Sequence, residues 1–559
     1  MLDAESFPSY YTPSPKTDMI KADPASDVGN GMCLEMGQVE DFIPVETARG
    51  LKSRHTQMIA IGGAIGTGLF IGSGEALSIG GPLFLLLGYS LLTALVFCIV
   101  TATTEFGSFL PVRGSSVAYF GHRFVSNSMG FALGWMYYYV FAITVPSEIT
   151  AAALVIDYWP NPVNIGVWIT IMLIVIVGLN CFPVKVYGET EFWFASIKVI
   201  GILGMFIMAL VITCGGAPDH KVIGFAYWNN PGAVNEYIVG GASGRLVAFI
   251  ATLRFSVYIF AFTPELLIIT AGEMQSPRRN LPTAGRRFFI RLVIFYIIGA
   301  FLIGLICPSN NSQLLGSSSS DASASPWAIA AKDAGIKGLD SVINIVILLS
   351  AWSAGNSWLY LASRTLYSMA DFGTAPQIFK RCTPSGVPYV SLGFTSLFSL
   401  LAYMNVSSSA STVFNWFVKL VNSGGYLSWV CVCIIYIRFR KATFAQELNV
   451  ADLPYRSRFQ PYAAYVAGSL LCLLLLLNGF TVFFPGHWDI STFITSYIGI
   501  PIFVFFFLGH KLFTERHTPW FIPSNEVDLT TGLPEILAAE VPASGSAGRW
   551  YKKLTLIFG

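Results

Sequence analysis

The sequence predicts an all-α polytopic membrane protein, and three observations carry that prediction. Only 11% of the 559 residues are charged, against about 25% in soluble proteins. The hydrophobic fraction is 54% and the mean hydropathy is +0.61, so charged side chains are too few to cover a soluble surface. Apolar runs long enough to cross a bilayer, about 20 residues each, recur along the chain.

Twelve such runs are predicted to be transmembrane helices: 57–76, 82–103, 131–156, 165–182, 192–213, 247–271, 290–307, 341–361, 389–405, 413–437, 461–483 and 492–509. The first begins after some 50 polar residues rich in Ser, Pro and Asp, so it is not a cleavable signal peptide. Residues 1–50 read as a disordered cytoplasmic tail, 51–510 as the membrane domain and 511–559 as a second cytoplasmic tail.

Loop charges set the orientation. With a cytoplasmic N-terminus, inside loops collect Arg113, Arg123, Lys185, Arg278, Arg279, Arg286, Arg287, Arg364, Lys380, Arg381, Arg438, Arg440, Lys441, Arg456 and Arg458. Outside loops keep Lys221, Arg245, Lys332 and Lys337. Both termini are therefore expected in the cytoplasm. Two sequons, Asn310-Asn311-Ser312 and Asn405-Val406-Ser407, fall outside.

Composition also excludes functions. The net charge of +2, from 33 basic and 31 acidic residues, gives no electrostatic footprint for nucleic acid. The nine cysteines show neither metal-ligand spacing nor a disulfide framework. No nucleophile motif, His cluster or phosphate loop appears, so no enzyme, metal or cofactor is expected. The GxGxxG-like spacing of the first span lacks the strand and ribose-binding acid of a dinucleotide site.

Two spans carry backbone breaks. The first contains Gly62-Gly63-Ala64-Ile65-Gly66-Thr67-Gly68, four glycines in seven residues, each costing about 1 kcal/mol in a helix relative to Ala. Close packing through small residues is one account of such a cluster. The sixth span contains Phe260-Ala261-Phe262-Thr263-Pro264-Glu265, where Pro264 removes a backbone donor. Spans one and six correspond in two five-helix halves, 1–5 and 6–10, and interruptions at matching positions point to a transporter site. Half-helix N-termini there face an anion and unwound carbonyls face a cation, the two charges of an amino-acid zwitterion.

At these residues the chain resembles the fungal amino acid permeases of the amino acid–polyamine–organocation superfamily. The resemblance rests on LKSRHTQMIAIGGAIGTGLFIGSG (51–74), FWFASIKVIGILG (192–204), AGEMQSPRRNLPTA (271–284) and SAWSAGNSWLYLASRTLYSMA (350–370). GFAYWNNPGA (224–233), ASPWAIAAKDAGI (324–336), LAYMNVSSSASTVFNWFV (401–418) and the terminal WYKKLTLIFG resemble the dicarboxylic branch. The resemblance implies a leucine-transporter-like fold, two inverted five-helix repeats plus two extra helices. It implies proton-coupled import at the plasma membrane, with acidic amino acids as substrates by branch and neutral, proline or broad-range substrates as the alternative. It places the substrate carboxylate on the amides of Ile65, Gly66, Thr67 and Gly68. The ammonium falls on carbonyls near Ile61, Phe260 and Phe262. Ubiquitin-ligase adaptors at the tails, with Lys16 and Lys21 as acceptors, are further implied partners. Two departures stand out: Thr104-Glu105-Phe106 replaces the family's Gly-Glu-Met, and Thr263 stands where glycine is common.

Ionisable residues inside spans are costly and usually functional. Lys198 lies six residues into span five. By the resemblance, it occupies the place where sodium-coupled cousins bind sodium. Glu148 in span three and Glu265 in span six are candidate proton-coupling groups, each with a structural role as the competing account. Glu105 and Glu273 are expected to pair with loop arginines. Arg254, about three turns above the break, and Lys419 in the outer half of span ten are candidates for side-chain selectivity, as an electropositive vestibule or as snorkelling cations. Ser353, Asn356 and Ser357 in span eight are expected to face spans one and six and to bond substrate or Lys198, with helix packing as the alternative. The mechanism expected is alternating access, with spans one, two, six and seven rocking against the rest. A non-transporting amino acid sensor is the competing function. A channel would need a pore loop or charge ring that the sequence lacks.

Overall fold

The computed structural model describes residues 66–112, 116–160, 162–260, 264–265, 267–268, 276–314, 325–448 and 453–538. Ile61, Ile65, Phe262, Glu273, Lys16 and Lys21 lie outside them. No β-strand occurs among the described residues.

The first helical run, α1 (Gly68–Phe109), turns at Gly81, where φ is 77° and ψ is 174°. A Cβ there would sit 2.9 Å from the Ala233 carbonyl oxygen, so the left-handed φ and the close approach both require glycine. Pro82 follows and starts the next helical stretch without a long loop. α2 (Val117–Phe124) leads into α3 (Asn127–Ile156). In α3, 94% of the apolar window is buried, which fits a helix apolar on every side. It is the central pillar, packed against α9 (Leu339–Asp371) and α11 (Ala410–Ala445).

Between them run α4 (Ile165–Asn180), α5 (Val184–Thr213), α6 (Gly241–Phe260), α7 (Pro277–Ile306) and α8 (Pro326–Asp333). On α5, Trp193, Ile200 and Ile207 recur every seventh residue and are 67%, 72% and 64% exposed. That spacing places them on one face, an apolar surface built for lipid. α10 (Tyr389–Val406), α12 (Tyr462–Leu476), α13 (Ile490–Tyr497), α14 (Gly499–Phe513) and α15 (Leu533–Ala538) complete the order.

Among the described residues eight helices are long and apolar enough to span a bilayer, nine if α13 and α14, bent by 44°, form one span. The expected twelve is not reproduced among the described residues. Expected span two and the described part of span one fall in α1. α4 and α12, with 16 and 15 residues, reach only about 24 and 23 Å at 1.5 Å per residue, short of the ~30 Å hydrocarbon core.

The segment after α14 is docked on the bundle. The Ile522 amide donates to the Val125 carbonyl (2.9 Å). Arg123 donates to the Asp528 and Thr531 carbonyls (2.7 Å each) and pairs with the Asp528 carboxylate (3.1 Å). Val527 and Leu529 are buried. The sequon at Asn405 is also internal: its amide donates to Thr150 Oγ1 (2.9 Å) and the Ala402 carbonyl (2.6 Å), which removes it as a glycan acceptor.

Candidate functional site

The described part of the glycine-rich stretch starts at Gly66, outside any helix, and winds into a π-helical turn over Gly68–Gly72. Such turns concentrate at functional sites. A Cβ on Gly68 would lie 2.6 Å from Ile259 Cγ1 and 3.0 Å from Ile259 Cα, so glycine is what lets α1 and the end of α6 touch. Thr67 is fully buried and donates through Oγ1 to Glu148 Oε2 at 2.8 Å. Tyr258 donates to Glu148 Oε1 at 3.4 Å and shares a 3.0 Å hydrogen bond with Ser147. One carboxylate thus ties α1, α3 and α6 together beside the break.

A second carboxylate, Glu191 on α5, was not anticipated. It is fully buried, and Ser353 Oγ from α9 lies 3.0 Å from both of its oxygens. Lys198, 1% exposed, lies in the field of both Glu191 and Glu148. Glu191 and Lys198 are seven residues apart, hence on one helix face. That spacing was the available signal, but the expected span began at residue 192. Burying charge is costly unless it is paired, and here two carboxylates act on one ammonium.

The remaining expected site residues divide. Ser353 bonds Glu191. Asn356 Oδ1 accepts from Asn180 Nδ2 at 2.8 Å and so ties α9 to α4. Phe260 is fully buried, its ring 4.4 Å from that of Tyr296 and 6.3 Å from that of Tyr89. Glu265 is in a separate hydroxyl cluster, accepting from Ser428 (2.9 Å) and Tyr137 (3.2 Å), which are themselves 2.6 Å apart. Glu105 pairs with Arg440 at 3.0 Å and accepts from Tyr436 at 3.0 Å, the structural pairing expected of it.

Arg254 and Lys419 meet in one cavity of about 210 Å³ lined also by Glu75, Asn415, His487 and Thr492. Neither reaches the surface as a snorkelling cation does: they are 8% and 9% exposed. Nor is the cavity purely electropositive, because Glu75, 5% exposed, lies in the field of both cations. Glu75 was also missed in the sequence, where it is next to last in the first expected span.

An all-helical membrane bundle, with a glycine break bordered by buried acids and a lysine on a neighbouring helix, has the makings of a secondary transporter. The family model for amino acid permeases matches residues 55–523, and the chain belongs to the amino acid permease family. It is a transporter and not an enzyme. It is 45% identical to a proline-specific permease of Emericella nidulans, over 91% of this chain and 92% of that one. It is 43% identical to a proline-specific permease of Saccharomyces cerevisiae (89% and 80% covered). The dicarboxylic amino acid permease of the same yeast is 41% identical (86% and 79%). The expectation that the dicarboxylic branch is singled out is corrected accordingly, since both proline-specific relatives are more similar. A solved manganese transporter of Eremococcus coleocola aligns with a TM-score of 0.53 at 14% identity, over 86% of this chain and 98% of its own. That likeness concerns the fold alone.

Proposed function

We propose that this chain imports a neutral amino acid, proline, across the plasma membrane together with a proton, by alternating access about two inverted five-helix repeats with both termini cytoplasmic. The observation that carries the reading is the set of buried groups at the break. Thr67 donates to Glu148 at the start of the π-helical turn, and Lys198 lies in the field of both Glu148 and Glu191. Such a group has one anion more than it has cations, so it gains by taking up a proton. The amides at Gly66, Thr67 and Gly68 supply donors for the substrate carboxylate, and carbonyls near Ile61 and Phe262 supply acceptors for its ammonium. Proline is favoured over glutamate because two proline-specific permeases are the more similar relatives. In addition, the two cations proposed for a second carboxylate share their cavity with Glu75. Adaptors of ubiquitin ligases at the tails remain part of the proposal by family.

Labelled proline, leucine, glutamate and aspartate are offered to permease-deficient yeast expressing this chain, at pH 5 and pH 7, with and without a protonophore. Acid-stimulated, protonophore-sensitive proline uptake is expected. Uptake of glutamate in preference to proline overturns the substrate. Uptake indifferent to the protonophore overturns the coupling. Absence of all uptake, with the protein at the cell surface, favours the sensor reading.

A further inference from the structure

The cavity between Arg254, Lys419 and Glu75 is a second place where substrate chemistry is assembled, apart from the break. Arg254 precedes Phe260, the last described residue before the expected break, by six residues and Glu75 follows Gly68 by seven, about 9 and 10.5 Å along their helices at 1.5 Å per residue. Both lie toward the end that the loop charges assign to the outside. The cavity is therefore stacked outward of the break, on the same two helices, with α11 and the segments before and within α13 closing its other side.

Its lining is built rather than incidental. Three charged side chains, each more than nine-tenths buried, surround it. Lys419 is held by donating to Thr492 Oγ1 at 2.8 Å, and the Asn422 amide donates to the Arg254 carbonyl at 2.7 Å, steadying α6 against α11. Asp489, at the exposed rim, accepts from the Thr492 amide at 2.7 Å. Two buried acceptors of the lining, Glu75 Oε2 and Asn415 Oδ1, have no hydrogen-bond partner among the described residues. Orphaned buried acceptors are costly and mark a place for an incoming donor. Two cations answer an anion, and two unsatisfied acceptors answer an ammonium. At about 210 Å³ the cavity falls below the roughly 300–1,000 Å³ of sites for drug-sized ligands, which suits one small amino acid.

We infer that this cavity is an outer binding site for a zwitterionic amino acid, which docks its carboxylate at Arg254 and Lys419 and its ammonium at Glu75 and Asn415 before passing to the break. The inference rests on the transport reading above and adds a stage to it. A secondary ammonium such as that of proline carries two N–H donors, matching the two orphaned acceptors.

The test is protection of a cysteine at the rim. His487→Cys is introduced into the full chain with the exposed Cys181, Cys214 and Cys472 replaced by serine. Labelling by a membrane-impermeant thiol reagent is then followed on whole cells. L-proline is expected to slow labelling, while pyrrolidine and acetate, each carrying half of the zwitterion, do not. Protection is expected to persist in two transport-dead backgrounds, Gly68→Val and Lys198→Met, so that the misfolding of one leaves the other. Arg254→Gln and Glu75→Gln are each expected to raise the half-protecting concentration about tenfold or more, the scale of one lost charged hydrogen bond. Arg254→Lys is expected to recover part of that loss. Protection lost in every folded transport-dead background overturns the inference, as does acetate or chloride protecting as well as proline. If the wild type does not carry proline, the substrate reading fails separately. The outer site then stands only if the amino acid that is carried protects, and it falls if none does.

Discussion

The two buried charge clusters are inverse in composition. Beside the break, Glu148 and Glu191 act on Lys198, two anions to one cation, and hydroxyls of Thr67, Tyr258 and Ser353 donate to the carboxylates. In the outer cavity, Glu75 faces Arg254 and Lys419, one anion to two cations, and two acceptor oxygens are left over. Each composition suits a different ligand. A cluster with surplus carboxylate suits the proposed proton uptake, because protonating one carboxyl balances its charge. An open cluster with surplus cation and unsatisfied acceptors takes a ligand carrying both charges. The Glu105–Arg440 pair is a third kind, one anion to one cation with its hydrogen bonds filled, and needs neither.

This contrast gives predictions from the largest effect to the smallest. Lys198→Met leaves two buried carboxylates without their cation. At a cost of about 3–5 kcal/mol for breaking a buried pair, uptake is expected to fall a hundredfold or more. Near-normal uptake at equal surface abundance would break the proton-store reading. Glu105→Gln is expected to lower stability by a similar ~3–5 kcal/mol with little change in the KM of whatever protein reaches the surface. A large KM change, measured against surface abundance, would move this pair into the transport path.

Gly68→Ala forces Ile259 and the end of α6 aside. About tenfold loss of uptake is expected, corresponding to ~1.4 kcal/mol, with partial recovery in the double variant Gly68→Ala, Ile259→Ala. The recovery is partial because the Ile259 Cα, 3.0 Å from the new methyl, remains. Failure of the double variant to recover at all would remove the α1–α6 contact as the cause. Ser353→Ala deletes the donor on Glu191, about 1.5–3 kcal/mol for a hydrogen bond to a charged group. It is expected to change the pH dependence of uptake more than its maximum, whereas a packing role would scale the whole profile.

Asp489→Ala marks the small end. It removes an N-cap at α13 typically worth about 1 kcal/mol, read as a modest drop in thermal stability. Hydrogen bonds from Thr492 hold the Asp489 carboxyl below its usual range. The sign follows: its contribution is complete above the ordinary Asp value of about 3.9 and fades only as pH falls through the lower folded value. Acid stimulation between pH 7 and pH 5 must therefore survive this substitution.

Some of this was legible in the chain. Glycine density at 62–68 and Pro264 mark where a break is expected, because glycine and proline act on the backbone locally, and Gly66 does lie outside any helix. Lys198, Glu148, Arg254 and Lys419 stood out because a charge in an apolar run is improbable without a use. Glu191 and Glu75 were missed for the same physical reason: each sits at the edge of an apolar run, where a carboxylate ordinarily meets water. The twelve-span count is not reproduced among the described residues, with α4 and α12 among the helices that fall short, since hydropathy measures apolar length and not where a helix ends.

Composition, motifs and local backbone chemistry were enough for the class of protein, the family and the expected place of the break. Which charges share a cluster follows from the folded chain. Ser353 reaches Glu191 across 162 positions and Thr67 reaches Glu148 across 81. Lys419 joins Glu75 and Arg254 in a cavity that no single helix contains. Charge acts over ångströms of space rather than over sequence, so whether a buried ion stores a proton, greets a zwitterion or merely braces two helices is settled by the neighbours that folding brings to it.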